Sequence, residues 1–442
     1  MASRTPEPTV TTTYNPRDGM YPDEADVRDE LSRVYDVCHG CQQCVSLCPV
    51  FPTLFEMLDG FENGDPGNMT PEQQDVVADS CFQCNLCVSN CPNRPERHEA
   101  NVDFPRLMLR AAAMRRSNNH VSSGARIASK VIGRVDIIGK LASAATPATN
   151  AMVGRASGSW LRRVAAWMTG LSPNMVVAPF STQRFSAWFA ERPKIKIQKR
   201  QSHVSIFPTC LVEYQATDIG KDLVKVYERN GVECAVSGAA CCGAPLLHAG
   251  DIKQFAKLAK RNVAVLAEEI RGGADVVVPQ PGCRRVITHD YLDHVPNADA
   301  EFVASKTYDA VQYLMTLHRG DNYVLDTEFE GVTHRTVTYH APSVASAERR
   351  GFAGRDLIRL TGARINLIQQ SSGVESLWGL SVGRDEVGAD SADKLAELIE
   401  RAGDAVIAGD SHLANTIITE RTGRPVLHPL QLFARAYGIP EE

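Results

Sequence analysis

Hydrophobic and polar positions follow two different rhythms along the chain, and the change falls near residue 201. Before it, apolar residues recur at helical spacing. Val27, Leu31, Val34 and Tyr35 lead into Cys38 and predict a helix starting near Ala25. Residues 49–80 read as short helices and turns broken at Gly60, Gly64 and Gly67, and 104–114 reads as another helix. Residues 120–190 are rich in Ala, Ser and Arg. There Ile127, Val131, Val135, Ile138 and Leu141 recur at helical spacing, and so do Trp160, Val164 and Trp167. Such stripes are either helix faces packed on their own domain or an interfacial, partner-facing surface. Residues 1–24, rich in Thr, Pro and Asp, predict a disordered tail.

After residue 201 strands and helices alternate. Strands are predicted at 203–207, 232–236 and 275–279, with helices at 220–230, stopped by Gly231, and at 252–270. A second series follows: strand 336–340, helix 351–360 ended by Gly362, strand 364–368, helix 390–401, strand 405–408 and helix 412–421. This alternation predicts an α/β region with parallel sheet character.

The two series read as one unit written twice. Cys210 lies 31 residues before Cys241, and Ser343 lies 28 before Ser371. Cys242 lies 41 residues before Cys283, and Ser372 lies 39 before Ser411. Cys210, Cys241, Cys242 and Cys283 thus face Ser343, Ser371, Ser372 and Ser411. Serine lacks an accessible thiolate and is a poor ligand for iron, so the first copy is expected to hold a metal and the second to be a structural pseudo-copy.

Composition narrows the classes. The 442 residues suit two or three domains, and a hydrophobic share of 43% is that of a globular chain. No apolar run reaches the ~18 residues of a membrane-spanning helix, and residues 1–29 hold no signal-peptide core. The cytosol is therefore the expected compartment, where 13 Cys are metal ligands or redox groups sooner than disulfides. The net charge of −5 hides an uneven distribution. Residues 106–200 carry 17 Lys and Arg against Asp136 and Glu191, a local +15 that leaves −20 elsewhere. That segment could bind an acidic partner, lie on the inner face of an anionic membrane, or neutralise acidic parts of its own chain. Neither GxGxxG nor GxxxxGK[ST] occurs, and no nucleic-acid reading motif accompanies the basic stretch, so a nucleotide site and nucleic-acid binding are not expected.

The cysteines carry the chemistry. Cys38, Cys41, Cys44 and Cys48 form a CxxCxxCxxxCP run, and Cys81, Cys84, Cys87 and Cys91 repeat it. This is the bacterial two-cluster [4Fe–4S] pattern, in which the fourth Cys of each run serves the other cluster. It assigns Cys38, Cys41, Cys44 and Cys91 to one cluster and Cys81, Cys84, Cys87 and Cys48 to the second. Structural zinc is the alternative, but zinc sites more often use two separated Cys pairs or Cys with His. His39 reads as a surface residue able to tune a cluster through a hydrogen bond. Cys210, the Cys241-Cys242-Gly243 triplet and Cys283 offer four more thiolates from three loops. They suit a third [4Fe–4S] cluster, with zinc, a disulfide switch or buried free thiols as alternatives. Cys234, on a strand-like run, reads as a buried apolar cysteine.

A two-cluster ferredoxin module joined to a CCG repeat resembles the cysteine-rich iron–sulfur subunit of anaerobic glycerol-3-phosphate dehydrogenase. More distantly it resembles the catalytic subunits of heterodisulfide reductase and the iron–sulfur subunits of lactate and glycolate oxidases. His98-Glu99 with Val102-Asp103-Phe104-Pro105, then Tyr339-His340-Ala341-Pro342, then His428-Pro429 with Ala436-Tyr437 also match the pattern of the glycerol-3-phosphate dehydrogenase component. The resemblance implies an α/β protein with a small α-rich module: an alpha-helical ferredoxin domain at 25–105, a basic helical linker or docking segment at 106–200, and a pseudo-duplicated CCG domain. Its cysteine-bearing half would span 201–332 and its cysteine-free half 333–442. The implied role is an electron-transfer subunit that links a flavin dehydrogenase to a membrane quinone, without fixing the dehydrogenase's substrate. Two departures stand out: the final CxxC of the CCG motif ends at Val286, and the second copy holds Ser343, Ser371, Ser372, Ser411 and Ala414. Disulfide reduction of the heterodisulfide kind, and a membrane-docking scaffold, are the alternative roles.

Overall fold

Short runs of Val, Ile and Thr that are apolar on both faces need cover on both sides, which parallel strands between helices provide. The computed structural model describes residues 13–121, 135–153, 172–193, 200–320, 325–381 and 385–441, with single positions between them. Its first sheet comprises β1 (Ser202–Ile206), β2 (Val232–Val236), β3 (Asp275–Val278) and β4 (Thr307–Asp309) in the order β2-β1-β3-β4. The second comprises β5 (Thr336–His340), β6 (Arg364–Ile368), β7 (Val406–Gly409) and β8 (Val426–Leu427) in the order β6-β5-β7-β8. Every pairing is parallel; Ile206 lies opposite Val236 and Val277, and His340 opposite Ile368 and Gly409. The two sheets therefore share one strand order. In each, the connections run outward in opposite directions from the first strand, leaving a crevice at the carboxyl ends of the strands.

The α/β expectation holds, with differences at the margins. The edge strands β4 and β8 are three and two residues long and leave no periodic trace in the sequence. The helix expected at 220–230 begins earlier, as Thr217–Arg229, and that expected at 390–401 is Asp385–Arg401. The unanticipated terminal helix Pro429–Ala436 joins the halves. It buries Leu430, Phe433 and Ala434 in one core with Leu223 and Tyr227 of helix Thr217–Arg229. Arg435 pairs with Asp222 at 2.8 Å, and Gln431 donates to Asp218 at 2.6 Å.

The N-terminal module is helical. Asp23 caps helix Glu24–Cys41 by accepting from the Asp26 amide, and Val27, Leu31, Val34 and Tyr35 form its buried face. A capping box between Thr70 and Gln73 starts helix Pro71–Asp79. Helix Phe104–Ser117 closes the core, where Phe104 meets Phe51 at 4.9 Å between ring centroids. The tail expected at 1–24 divides. Residues 1–12 lie outside the described residues, whereas residues 13–23 pack onto the module. Tyr21 is buried, Tyr14 donates to Glu30 at 2.9 Å, and buried Arg110 donates to the carbonyls of Met20 and Tyr21 and to the Asp26 carboxylate. Composition suggested disorder there because it does not register a single arginine reaching back from position 110.

Much of the basic segment turns inward. Arg106 pairs with Asp293, Arg110 with Asp26, Arg115 with Asp75 and Asp79, and Arg116 with Asp251. Arg184 pairs with Glu213, Arg192 with Glu228, and Arg200 with Glu233. Every one of these acids lies outside 106–200, so for these seven arginines the charge is matched within the chain. Of the apolar stripes, Trp160, Val164, Trp167 and Ile127 lie outside the described residues. Ile138 is half-buried while Ile137 and Leu141 are exposed on helix Val135–Ala144.

Arg110→Ala leaves the Asp26 carboxylate without its buried partner. It is expected to destabilise the protein by about 3–5 kcal/mol and to expose residues 13–23 to protease. Thermal unfolding and limited proteolysis check this; an unchanged midpoint would contradict it.

Candidate metal centre

The first eight cysteines sit where helices end. Cys38 and Cys41 close helix Glu24–Cys41; Cys44 and Cys48 lie in the turns before helix Val50–Asp59. Cys81 and Cys84 follow helix Pro71–Asp79, Cys87 lies in helix Leu86–Asn90, and Cys91 caps it. Left-handed residues bend the chain beside them: Gln42 at φ 53°, Gln83 at φ 60° and Asn85 at φ 61°. Asn85 supports its own turn by donating to the Gln83 carbonyl at 2.7 Å.

These bends bring the thiols close enough to act on one another. Burial raises the Cys38 thiol, and the thiols adding to the rise are Cys44, Cys91 and Cys41. Cys44 is pushed up to about 12 by burial and then by Cys91 and Cys41. Cys48 also reaches about 12, chiefly through burial and then Cys81. Cys84 and Cys87, raised further by burial, have Cys48 and Cys81 as neighbours. Cys38, Cys41, Cys44 and Cys91 thus act on one another, as do Cys48, Cys81, Cys84 and Cys87, and Cys44 also adjoins the latter, its sulfur donating to the Cys87 carbonyl at 3.7 Å. The Gln83 amide donates to the Cys81 sulfur at 3.4 Å. His39 faces Asp59 at 2.9 Å and packs on Phe55.

Cys210, Cys241, Cys242 and Cys283 occupy the crevice of the first sheet. Cys210 lies in helix Thr209–Tyr214 after β1, the pair follows β2, and Cys283 lies in helix Pro281–Arg285 after β3. A hydrogen bond with Cys241, and then burial, push the Cys210 thiol well up. Cys241 is hydrogen-bonded in turn to Cys242, whose sulfur lies 3.3 Å from that of Cys283. Two left-handed residues shape the loops. Thr209 has φ 60°, a strained choice for a β-branched residue. Gly243 has φ 87°, and a Cβ there would stand 3.0 Å from both Leu258 and Phe255, so glycine is required. Cys234 lies on β2, away from the crevice, and is buried.

Several supports were not legible as site residues. Asn262, fully buried on helix Ile252–Arg271, donates to the Cys241 carbonyl at 3.0 Å and to the Tyr291 hydroxyl at 2.9 Å. Tyr291 in turn donates to the Cys242 carbonyl at 2.9 Å. Asp136, one of only two acids in the basic segment, accepts from the Cys241 amide at 3.2 Å. The one available signal was Asn262 itself, a polar residue within the apolar stripe of Phe255, Ala259, Val263 and Leu266.

The four thiols line a pocket that other parts of the chain complete. Gln83 and Asn85 enter from the N-terminal module, and Glu375, Ser376 and Leu413 from the second half. The second-half serines are buried and bonded: Ser343 donates to Glu375 at 2.8 Å, Ser411 accepts from Gln280 at 2.9 Å, and Ser371 accepts from the Gly373 amide at 3.1 Å. Ser372 is buried beside them, and Val286 lines the same pocket. Glu375 is lifted from its ordinary 4.5 to about 7 by burial. Among the described residues no three His, Cys, Asp or Glu side chains are gathered as one metal ion would need. An all-sulfur donor set in fours instead fits iron–sulfur cubes, which take one thiolate at each iron.

Comparison with known proteins agrees with this chemistry. Residues 30–92 match the 4Fe-4S dicluster domain family and residues 204–288 the cysteine-rich CCG domain family. The chain is 32% identical to lactate utilization protein A of Shouchella clausii over 182 residues, covering 39% of this chain and 66% of that protein. Against the protein of the same name from Bacillus subtilis the identity is 28% over 216 residues, covering 47% and 86%. A component of the fumarate reductase (CoM/CoB) of Methanothermobacter marburgensis is 26% identical over 251 residues, covering 54% and 48%. Several of these matches span only about half to two thirds of the relatives' own length. Among the described residues no helix is long and apolar enough to cross a membrane.

The Glu375 shift makes a signed prediction. The folded state holds this proton more tightly than the unfolded chain, so the residue's cost is absent below about pH 4.5 and grows until about pH 7. Glu375→Gln removes that cost. The melting temperature of the variant relative to wild type is expected to rise between pH 5 and pH 8, by the equivalent of on the order of 1–3 kcal/mol. A difference independent of pH would contradict it.

Proposed function

The chain belongs to the iron–sulfur oxidoreductases that combine a dicluster domain with a CCG domain, and from that premise we propose that it is an electron-transfer subunit. In this reading it takes electrons from a flavin-dependent dehydrogenase of the glycerol-3-phosphate or 2-hydroxy-acid type and passes them toward a quinone or another redox acceptor. Relatives named for lactate utilization support the hydroxy-acid side.

Cys38, Cys41, Cys44 and Cys91 hold one [4Fe–4S] cluster, and Cys48, Cys81, Cys84 and Cys87 the second. Cys210, Cys241, Cys242 and Cys283 hold a third. Bound clusters of this kind supply one-electron carriers. The observation that carries the proposal is that the loop bearing Cys81, Cys84 and Cys87 extends Gln83 and Asn85 into the pocket of the CCG thiols. The second thiol set and the CCG site are thereby neighbours, without a mobile carrier between them. The first set lies toward solvent, beside exposed Gln42, Gln43 and Val45, and is the side a donor reaches. Burial of Cys84 and Cys87 keeps water from the inner set. Asn262 and Tyr291 hold the Cys241-Cys242 loop by its carbonyls, so both sulfurs stay directed into the pocket.

The cysteine-free half acts as a wall. The shared strand order of the two sheets supports reading it as a pseudo-copy, with Ser343, Ser371, Ser372 and Ser411 where the first half has thiols. A disulfide reductase of the heterodisulfide kind would draw on cysteines in both halves, which weighs against that role. The inward pairing of seven arginines weighs against a purely electrostatic membrane contact by the same residues.

Anaerobic iron and sulfide analysis tests the assignment. About twelve Fe per chain is expected, and about eight would remove the third cluster. Cys91→Ser, Cys84→Ser and Cys210→Ser should each lower the count by about four Fe. A chain that purifies anaerobically without iron would overturn the whole reading.

A further inference from the structure

The two cysteine runs agree in spacing and differ in what fills the gaps. Cys81-Phe82-Gln83-Cys84 carries a glutamine where Cys38-His39-Gly40-Cys41 carries a glycine. The Gln83 side-chain amide donates to the Cys81 sulfur at 3.4 Å and to the Pro105 carbonyl at 3.1 Å. Both hydrogens of one NH2 group are thereby used. The Pro105 bond also fixes which end of the amide faces sulfur, because the flipped amide would set its oxygen against the Pro105 oxygen. Gln83 does this at φ 60°, a left-handed conformation uncommon for a residue with a side chain. Gly40, its counterpart, has no donor to offer, and a Cβ built there meets nothing within 4 Å.

From this asymmetry we infer that Gln83 sets the reduction potential of the second cluster, holding it high enough to take electrons from the first. The inference rests on the electron-transfer reading and gives that reading a direction. The step is the passage of one electron: the first cluster is oxidised, the second is reduced, and no bond is made or broken. Reduction adds a negative charge at the cluster and its sulfurs. Burial opposes that charge, and Cys84 and Cys87 of the second set are buried whereas Cys38, Cys41 and Cys44 of the first are half-buried. Glu375 adds a negative charge near Cys84 when it ionises, which opposes reduction further. Left to these two effects, the second cluster would be the harder to reduce. A hydrogen bond donated to a ligand sulfur favours the added charge and raises the potential. The backbone amides of Val50 and Phe51 on Cys48, and of Leu86 on Cys84, act in that sense. Gln83 adds a side-chain donor that the first run lacks at the same position.

Its place in the fold fits this role. Gln83 bonds Cys81 and also lines the pocket of Cys210, Cys241, Cys242 and Cys283. The donor therefore lies on the side of the second set that faces the CCG thiols, where an electron drawn inward has its next acceptor.

A redox titration of the full-length, anaerobically purified protein, followed by electron paramagnetic resonance with iron counted in parallel, tests the assignment. Gln83→Leu should lower the midpoint of one cluster and leave the others in place. At a fixed potential the reduced-to-oxidised ratio of that cluster should fall about tenfold, equivalent to about 59 mV for one electron. The component that moves should be the one that Cys84→Ser removes. A role confined to holding the Pro105 carbonyl would alter the melting temperature or the iron content and move no midpoint. If Gln83→Leu loses iron, Gln83→Gly serves instead with the same expected shift, since it copies the first run and glycine suits φ 60°. Iron-replete variants with unchanged midpoints, or a shift in the component that Cys91→Ser removes, overturn the inference and leave the electron-transfer reading intact. A wild-type chain that holds no iron removes both.

Discussion

The constraint on which the rest of the structure depends is the burial of sulfur. Three sets of four thiols are gathered at the ends of helices and strands, and nearly all are raised by desolvation and by one another. A thiolate in such a place is unstable unless a cation stands where the proton was. Burial favours the neutral thiol; iron bound as proposed would let the thiols ionise, release their protons and add directly to folding stability. In the proposed assignment each set of the N-terminal module draws one cysteine from the other run, which would make this coupling mechanical. That module is small and mostly helical, and its apolar core around Phe51 and Phe104 is only part of what holds its two cysteine runs together.

A second consequence lies in the two sheets. They share a strand order and therefore a crevice at the carboxyl ends of their strands, and in only one does the crevice carry sulfur. Serine nearly matches cysteine in size, but its hydroxyl needs a partner when buried. Ser343 finds Glu375 and Ser411 finds Gln280, so these buried hydroxyls are partnered where the first half has thiols. The serine half then contributes Glu375, Ser376 and Leu413 as a wall. In the proposed reading, division of labour between the two halves follows from one chemical difference, thiol against hydroxyl.

What could be read from the sequence was whatever is local. Spacing within CxxCxxCxxxCP predicts which thiols share a cluster, and the structure packs Cys38, Cys44, Cys48, Cys81, Cys87 and Cys91 around one core. Among the described residues six of the eight strands were legible as apolar runs; β4 and β8 were not, since two or three residues at a sheet edge carry no period. The basic stretch was legible as a charge, but not its direction. Arg115 meets Asp75 and Asp79, and Arg116 meets Asp251, only because the fold brings distant acids to them. The same holds for Arg110, whose reach to Met20 and Tyr21 ordered residues that composition alone consigned to a tail. Asn262, Tyr291, Asp136 and Glu375 support the CCG site across separations that no motif spans.

Everything proposed about electron flow turns on the inner dicluster set and the CCG thiols being immediate neighbours within one chain. Electron paramagnetic resonance of the fully reduced protein reads that proximity, since neighbouring paramagnetic clusters broaden one another's signals. A spin-coupled spectrum is expected in the wild type, simplifying in Cys210→Ser, with the signal of the outer set least altered. A wild-type spectrum that is the plain sum of isolated clusters, unchanged in form by Cys210→Ser, would contradict it.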